Sequence, residues 1–318
     1  MKRLLLALFL ALAATAHAQT YPAKPVRLVV PFPPAGGNDV FARIVAQKLS
    51  EAWKQQVLVE NRPGAGGAVG TEFAAKSAPD GYTLLLGHTG TLAINPALYT
   101  KLGYDPSRDF APIGTLASAP LVLVVNSSAP IRTVGDVIAQ AKTKPGEINY
   151  ASSGSGTGSH LSGELLQSLT GIKLTHVPYK GTSPAITDLL GGQVQMMFSV
   201  IPAALPQIKA GKLRAIAVTS SQRMPQLPDI ATVAESGVPG FESTLAYGIL
   251  APRGTPAAVL EEIHAQLARI TATKEFRERV DFEGAVVLEG TSADFAALIR
   301  EQAEKWARVI RASGVKPE

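Results

Sequence analysis

Apolar residues along this chain follow two alternating rhythms. "VRLVVPF" (26–32) is a continuous apolar run, the pattern of a strand buried on both faces. Residues 39–53 then place Phe41, Ile44, Val45, Leu49 and Trp53 at helical spacing. A strand at 56–61, the loop "RPGAGG", the helix "AVGTEFAAKSA", a turn at 79–81 and the strand "YTLLLG" continue the alternation. The longer apolar segment 115–126 predicts a strand that crosses to a second unit. The pattern restarts with the helix "TVGDVIAQAK", a strand at 148–152, a Ser/Gly loop and a helix at 160–171 closed by glycine. Strands "LTHVPY", "VQMMFS" and "LRAIAVTS" follow, separated by helices "SPAITDLLGG" and "ALPQIKAG". "STLAYGILAP" reads as the return crossing, and three amphipathic helices form the tail.

Strands that alternate with helices build parallel sheets, with ligands outside the carboxyl ends of the strands. Two such runs predict an α/β fold of two lobes. Each lobe is expected to be a mostly parallel sheet flanked by helices, with the ligand cleft between lobes. The last helices are expected to pack back on the first lobe. Lobe 1 then takes 19–122 and 243–318, and lobe 2 takes 123–242.

The start "MKRLLLALFLALAATAHAQT" changes the picture of where the protein works. Lys2 and Arg3 precede an apolar stretch at 4–14 that is too short to span a bilayer, and Ala16-His17-Ala18 has a small-x-small pattern. This predicts a signal peptide at 1–18 and a mature chain from Gln19; an uncleaved anchor is the alternative. The chain has no cysteine, which excludes disulfides, thiolate metal sites and a lipidated start. The formal charge is +5, of which Lys2 and Arg3 contribute two, and the basic residues are scattered. Nucleic-acid binding is not expected from such a distribution.

Two junctions carry candidate chemistry. "PFPPAGGND" (31–39) joins a strand to a helix through Gly36 and Gly37, and glycine lets a ligand approach the backbone. The first N–H groups of a helix lack internal partners and favour an anion. A plain turn capped by Asn38 or Asp39 explains the same residues; Asp39 reads as the cap, paired with Arg43 four residues on. "YASSGSGTGSHLSGELL" (150–166) repeats the device in the second half, with uncharged donors on Ser152, Ser153, Ser155, Thr157 and Ser159. Two such loops could grip one anion from both sides, or each could be a capped flexible loop. Catalysis is a poorer fit. No G-x-S-x-G surrounds the serines, Ser159 and His160 are helix neighbours that point apart, and "GAGGAVG" has Val69 where a dinucleotide motif needs its third glycine. A hydrolase built on Ser155, Ser159 or His160 would need an acid/base partner within reach of a serine. His88, His160, His176 and His264 show no metal-binding spacing. Met196 and Met197 read as core.

The stretches "YPAKPVRLVVPFPPAGGNDVFAR", "VENRPGAGGAVGTE", "APDGYTLLLG", "GTGSHLSGELL", "HVPYKGTSPAITDLLGGQVQMMF" and "GKLRAIAVTSSQRMPQLPDIATVAESGVPGF" occur in order over nearly the whole chain. In them the protein resembles the Bug-type receptors, the extracytoplasmic solute-binding proteins of tripartite tricarboxylate transporters. The resemblance implies a periplasmic-binding-protein-like fold that closes on its ligand by hinge motion. It implies a monomeric periplasmic receptor, not an enzyme, with no cofactor and no metal. Its ligand would be a small organic carboxylate, whether a di- or tricarboxylate, an acidic amino acid or an aromatic acid. Its partners would be the membrane permease subunits; a sensor that docks on a signalling protein would share the same fold. Carried over by position, the carboxylate grip falls on Phe32, Ala35, Gly36, Gly37, Asn38 and Asp39, and on Ser153, Gly154, Gly156 and Thr157. A second group comprises His88, Thr89, Lys180, Gly181, Ser199 and Tyr247. Ala35 departs from the family pattern, where glycine is common.

Overall fold

Val26, Leu28, Val29 and Val30 lose all contact with water, as a two-sided apolar run requires, and form strand β1 (Val26–Val30). The computed structural model describes residues 21–34 and 37–316. The expected signal peptide, Gln19, Ala35 and Gly36 lie outside the described residues.

Around β1 the first lobe places β2 (Val57–Asn61) and β3 (Thr83–His88), both parallel to it. Helix α1 (Gly37–Trp53) joins β1 to β2, and α2 (Ala68–Ala75) leads into β3. A π-turn at Gly90–Ile94 and the short helices α3 (Asn95–Leu98) and α4 (Pro106–Asp109) follow.

The 17-residue strand β4 (Phe110–Asn126) crosses between the lobes. The second lobe holds α5 (Val134–Thr143), β5 (Asn149–Ser152), α6 (Gly158–Thr170), β6 (Thr175–Pro178), α7 (Thr182–Leu190), β7 (Met196–Val200), α8 (Ile201–Lys209) and β8 (Leu213–Val218). β5 runs parallel to β6 and β7. β9 (Thr244–Pro252) returns to the first lobe, followed by α9 (Ala257–Ala272), α10 (Lys274–Phe282), β10 (Val286–Val287) and α11 (Ser292–Ser313).

The strands form one continuous curled sheet in the order β2-β1-β3-β9-β4-β7-β5-β6, with β8 and β10 also paired to β4. Parallel pairing is confined to β1, β2 and β3 in one lobe and to β5, β6 and β7 in the other; the crossing strands join them antiparallel. The change of partner is abrupt. Up to Pro120 β4 pairs with β9, and from Leu121 it pairs with β7. Thr219 fastens this point: its Oγ1 accepts from the Leu121 N–H at 2.7 Å and donates to the Ser243 carbonyl at 2.6 Å.

The tail does not pack on one lobe alone. In α11, Phe295 belongs to a first-lobe core with Val29, Leu85 and Leu250. About three turns further on, Trp306, Val309 and Ile310 join a core that contains Leu161, Leu165 and Phe198 of the second lobe. A 22-residue helix is long enough to reach both, at about 1.5 Å per residue. No helix among the described residues is long and apolar enough to cross a membrane.

Candidate functional site

The parallel strands of both lobes point their carboxyl ends at one place. There a cavity of about 240 Å³ opens between the lobes. Phe32 follows β1, His88 ends β3, Ser153 follows β5, and Val200 ends β7, and all four line it. Leu121 and Leu245, on the two crossing strands, form part of the same wall.

On the first-lobe side, α1 starts at Gly37, and Asn38 in its first turn faces the cavity. Asp39 turns the other way. It is buried, accepts from Arg43 Nε at 2.8 Å and from Asn61 Nδ2 at 2.9 Å. Asn61 also donates to the Phe32 carbonyl at 3.1 Å, so the end of β2 clamps both ends of the first loop. A carboxylate held this way leaves no negative charge on the cavity wall.

On the second-lobe side, Ser153, Ser155, Gly156, Thr157, Gly158 and Ser159 line the cavity. Thr157 caps α6: its Oγ1 accepts from the His160 N–H at 3.4 Å and donates to the Gly154 carbonyl at 2.7 Å. Ser159 Oγ donates to the Phe198 carbonyl at 2.5 Å, tying the helix start to β7. Thr157→Val should therefore loosen the loop as well as remove a donor. We expect a loss of about 1 kcal/mol in stability, as for other N-caps, together with weaker ligand binding, read by urea titration and calorimetry.

A buried polar cluster stands behind this loop. The rings of His160 and His176 stack at 3.6 Å between centroids, with an angle of 4°. His160 Nδ1 accepts the Gly156 N–H at 3.0 Å, which leaves the ring hydrogen on Nε2, 3.6 Å from Glu164 Oε1. Glu164 accepts from the Tyr150 hydroxyl at 2.6 Å and from Gln167 at 2.9 Å. Burial alone would raise the Glu164 carboxyl, but hydrogen bonds from His160 and Tyr150 outweigh it and hold it below the usual range. Desolvation, with the Glu164 charge second, pushes the Tyr150 phenol far up, so it stays a donor. Ser152 meets a histidine, with Oγ 2.6 Å from His176 Nε2. Ser152 is fully buried, is absent from the cavity wall, and its Oγ bonds the N–H and C=O of Gly154. The pair supports the loop. No group of three or more metal-ligating side chains occurs among the described residues.

His88 supplies an aromatic wall. It stacks on Phe32 at 4.7 Å and meets Tyr247 edge-on at 5.7 Å. Its Nδ1 accepts the Gly90 N–H at 2.7 Å. Burial pushes its pKa down from 6.5 to about 4, so the ring is neutral at neutral pH. The unfolded chain takes up this proton near the ordinary value and the folded one does not until about pH 4. Stability is thus complete above about pH 6.5 and falls from there towards pH 4, by on the order of 3 kcal/mol for this group. His88→Gln should flatten that part of the profile, read by urea unfolding near pH 7.5 and near pH 4.5.

Of the positions expected from sequence, Phe32, Asn38, His88, Ser153, Gly156 and Thr157 line the cavity. Asp39, Thr89, Gly154, Lys180, Gly181, Ser199 and Tyr247 stand outside its wall. Thr89 is buried, with Oγ1 accepting from the Ala246 N–H at 2.9 Å. Ser199 is buried within β7 and absent from the wall, although its neighbours Phe198 and Val200 line it; its Oγ donates to the Val200 carbonyl at 3.2 Å. Tyr247 backs His88 from β9. Lys180 and Gly181 precede α7, whose first residue, Thr182, is the one that lines the cavity. Gly154 shapes the second loop from behind. The sequence reading passed over Ile94, Leu98, Tyr99 and Leu245. Met197, read as core, is buried in a core cluster and also borders the cavity. Ile94 and Leu98, four residues apart, share a helical face shortly after β3, the one local signal that could have placed them.

Two α/β lobes joined by crossing strands, with a shared cavity at the strand ends, are the architecture of two-lobed solute-binding proteins. The chain belongs to the family described as the tripartite tricarboxylate transporter family receptor, which it matches over residues 41–315. It is 38% identical over 306 residues to BugT of Bordetella pertussis, covering 96% of this chain and 94% of that one. Among solved structures, R. palustris Rpa4515 with adipate superposes with a TM-score of 0.82 at 36% identity, covering 94% of this chain and all of that one. MatC from Rhodopseudomonas palustris with bound malate gives 0.78 at 33% identity, covering 91% and 100%. Family and fold are those of solute-binding proteins.

Proposed function

We propose that this protein is an exported periplasmic receptor that captures a small organic carboxylate and delivers it to the membrane subunits of a tripartite transporter. The observation that carries the reading is the position of the cavity: it lies between the lobes, with the starts of α1 and α6 on opposite walls. Free N–H groups at two helix starts favour one anion between them without a cation on the wall. In this reading the carboxylate sits between the start of α1 and the loop at 153–157. The bound adipate and malate of the structural relatives support a carboxylate ligand.

In this reading the lobes turn about residues 120–121, 219 and 243, where β4 changes partners and Thr219 bonds Leu121 and Ser243. Lobe 1 then takes 19–122 and 243–318 and lobe 2 takes 123–242, with the end of α11 reaching across. The mature receptor begins near Gln19 and works as a monomer. A thermal-shift screen against mono-, di- and tricarboxylates, acidic amino acids and aromatic acids tests the proposal. A ligand at a hundred times its Kd adds about 2.7 kcal/mol of stability, which such a screen detects. Stabilisation by at least one carboxylate is expected; stabilisation only by uncharged or cationic solutes would refute the reading.

A further inference from the structure

None of Tyr150, Ser152, His160, Glu164 and His176 lines the cavity, yet together they hold the loop that does. Gly154 and Gly156 give that loop its path, with φ values of +136° and +75°. Two imidazoles fix the path from behind. His160 acts directly: its Nδ1 accepts the Gly156 N–H at 3.0 Å. His176 acts through Ser152: its Nε2 lies 2.6 Å from Oγ, and the same Oγ accepts the Gly154 N–H at 3.1 Å.

The backing is rigid. The Tyr150 hydroxyl donates to Glu164 at 2.6 Å, and a Cβ on Gly163 would lie 2.4 Å from the Tyr150 ring, so that ring rests on the backbone of α6. Tyr150 of β5 and His176 of β6 lie beside His160, at 6.3 and 3.6 Å between ring centroids, and Glu164 stands one turn along α6. β7 and α11 also pack on α6, and they bring apolar side chains to this core: Met196, Phe198, Trp306 and Val309.

Only an uncharged His160 can do this work. An imidazole that carries protons on both nitrogens has no acceptor left, so a proton on Nδ1 breaks the bond to Gly156. The Glu164 carboxylate, 3.6 Å from His160 Nε2, would stabilise the charged ring. Two stacked cations would repel at 3.6 Å, so the pair takes up a single proton. Gain of that proton and loss of the Gly156 bond are one event.

We infer that His160, with His176 behind Ser152, is a positioning residue that locks the second loop while uncharged, and that protonation of His160 frees Gly156 and loosens the loop, so that ligand binding expels a proton and weakens in acid. The loop part stands without a ligand; the binding part rests on the receptor reading above. The sign follows from reciprocity: if the proton disfavours the loop shape that binds, the ligand disfavours the proton by the same factor.

Amide hydrogen exchange of the ligand-free protein over residues 152–158, corrected for the intrinsic effect of pH, is compared near pH 7.5 and near pH 5.5. His88 stays neutral in the folded protein over this interval, because burial holds it down to about 4. Wild-type protection is expected to fall about tenfold on acidification. In His160→Asn, Oδ1 takes the place of Nδ1 and does not titrate, so protection should be kept at both pH values. His160→Leu fills space without an acceptor and should be poorly protected at both. Calorimetric titration with adipate reads the binding side: Kd should rise about tenfold more in the wild type than in His160→Asn, which shares the ionisation of adipate itself. A flat wild-type exchange profile, an equal fall in His160→Asn, or full protection in His160→Leu overturns the inference. Equal pH dependence of adipate binding in wild type and His160→Asn overturns its binding part. Failure of adipate to bind either protein counts against the receptor reading, and the exchange profile then decides the inference alone.

Discussion

Gly156→Val is expected to abolish ligand binding, with Kd raised at least a hundredfold, while the protein remains folded. Gly156 sits at φ +75°, in the left-handed region where a β-branched residue is strained. The space is also taken: a Cβ there would lie 2.5 Å from Leu98 Cδ2. Leu98 belongs to α3 of the first lobe and Gly156 to the loop of the second, and both line the cavity. The added side chain must therefore push the lobes apart or fill the space that the ligand occupies. The Gly156 N–H is also held by His160 Nδ1 at 3.0 Å, and a shifted loop loses that bond. The fold should survive because the strain falls on a surface loop outside the core clusters. Calorimetric titration reads the affinity and near-ultraviolet circular dichroism reads the fold. Unchanged affinity in a folded variant would show that this loop does not contact the ligand.

Trp306→Ala should be the most destabilising single change in the tail, by about 3–5 kcal/mol. Trp306 is among the largest fully buried side chains, at 1% exposure. Its indole N–H donates to Gln302 Oε1 at 3.1 Å, and its ring lies in the core that Ile94 and Leu98 of one lobe share with Leu161 and Leu165 of the other. Truncation leaves a large cavity between elements of both lobes, which can collapse only if they move together. Tm should fall by roughly 10 °C, given about 2–4 °C per kcal/mol for a chain somewhat shorter than this. Trp306→Phe, which keeps most of the volume, should cost much less. A loss confined to a few tenths of a kcal/mol for Trp306→Ala would mean that α11 packs loosely on the second lobe.

Local pattern carried far in this protein. The continuous apolar run at 26–32 and the helical spacing from Phe41 to Trp53 placed β1 and α1 because burial on two faces, or on one stripe, leaves its mark in the next few residues. The Ser/Gly segment after β5 read as a ligand loop for a similar reason: no strand or helix can use those residues, and a helix start follows. Six of the expected positions line the cavity, and they lie at the ends of strands β1, β3 and β5 or in the turn or helix start that follows.

What escaped local reading depends on contacts between distant segments. His160 stands in the first turn of α6 and His176 on β6, yet they stack at 3.6 Å because α6 packs over the paired strands β5 and β6. Thr89, Ser199 and Tyr247 are polar residues near strand ends, and only the pleat and its neighbours decide that they face inward to other partners. The sequence by itself determined the α/β alternation, the two crossing strands and the two glycine-bearing loops, since each is written in a local period or in backbone permissiveness. Only the tertiary structure decided that α11 spans both lobes and that the cavity wall is uncharged, because a wall is assembled from residues hundreds of positions apart, whose facing directions are set by packing and not by their neighbours in the chain.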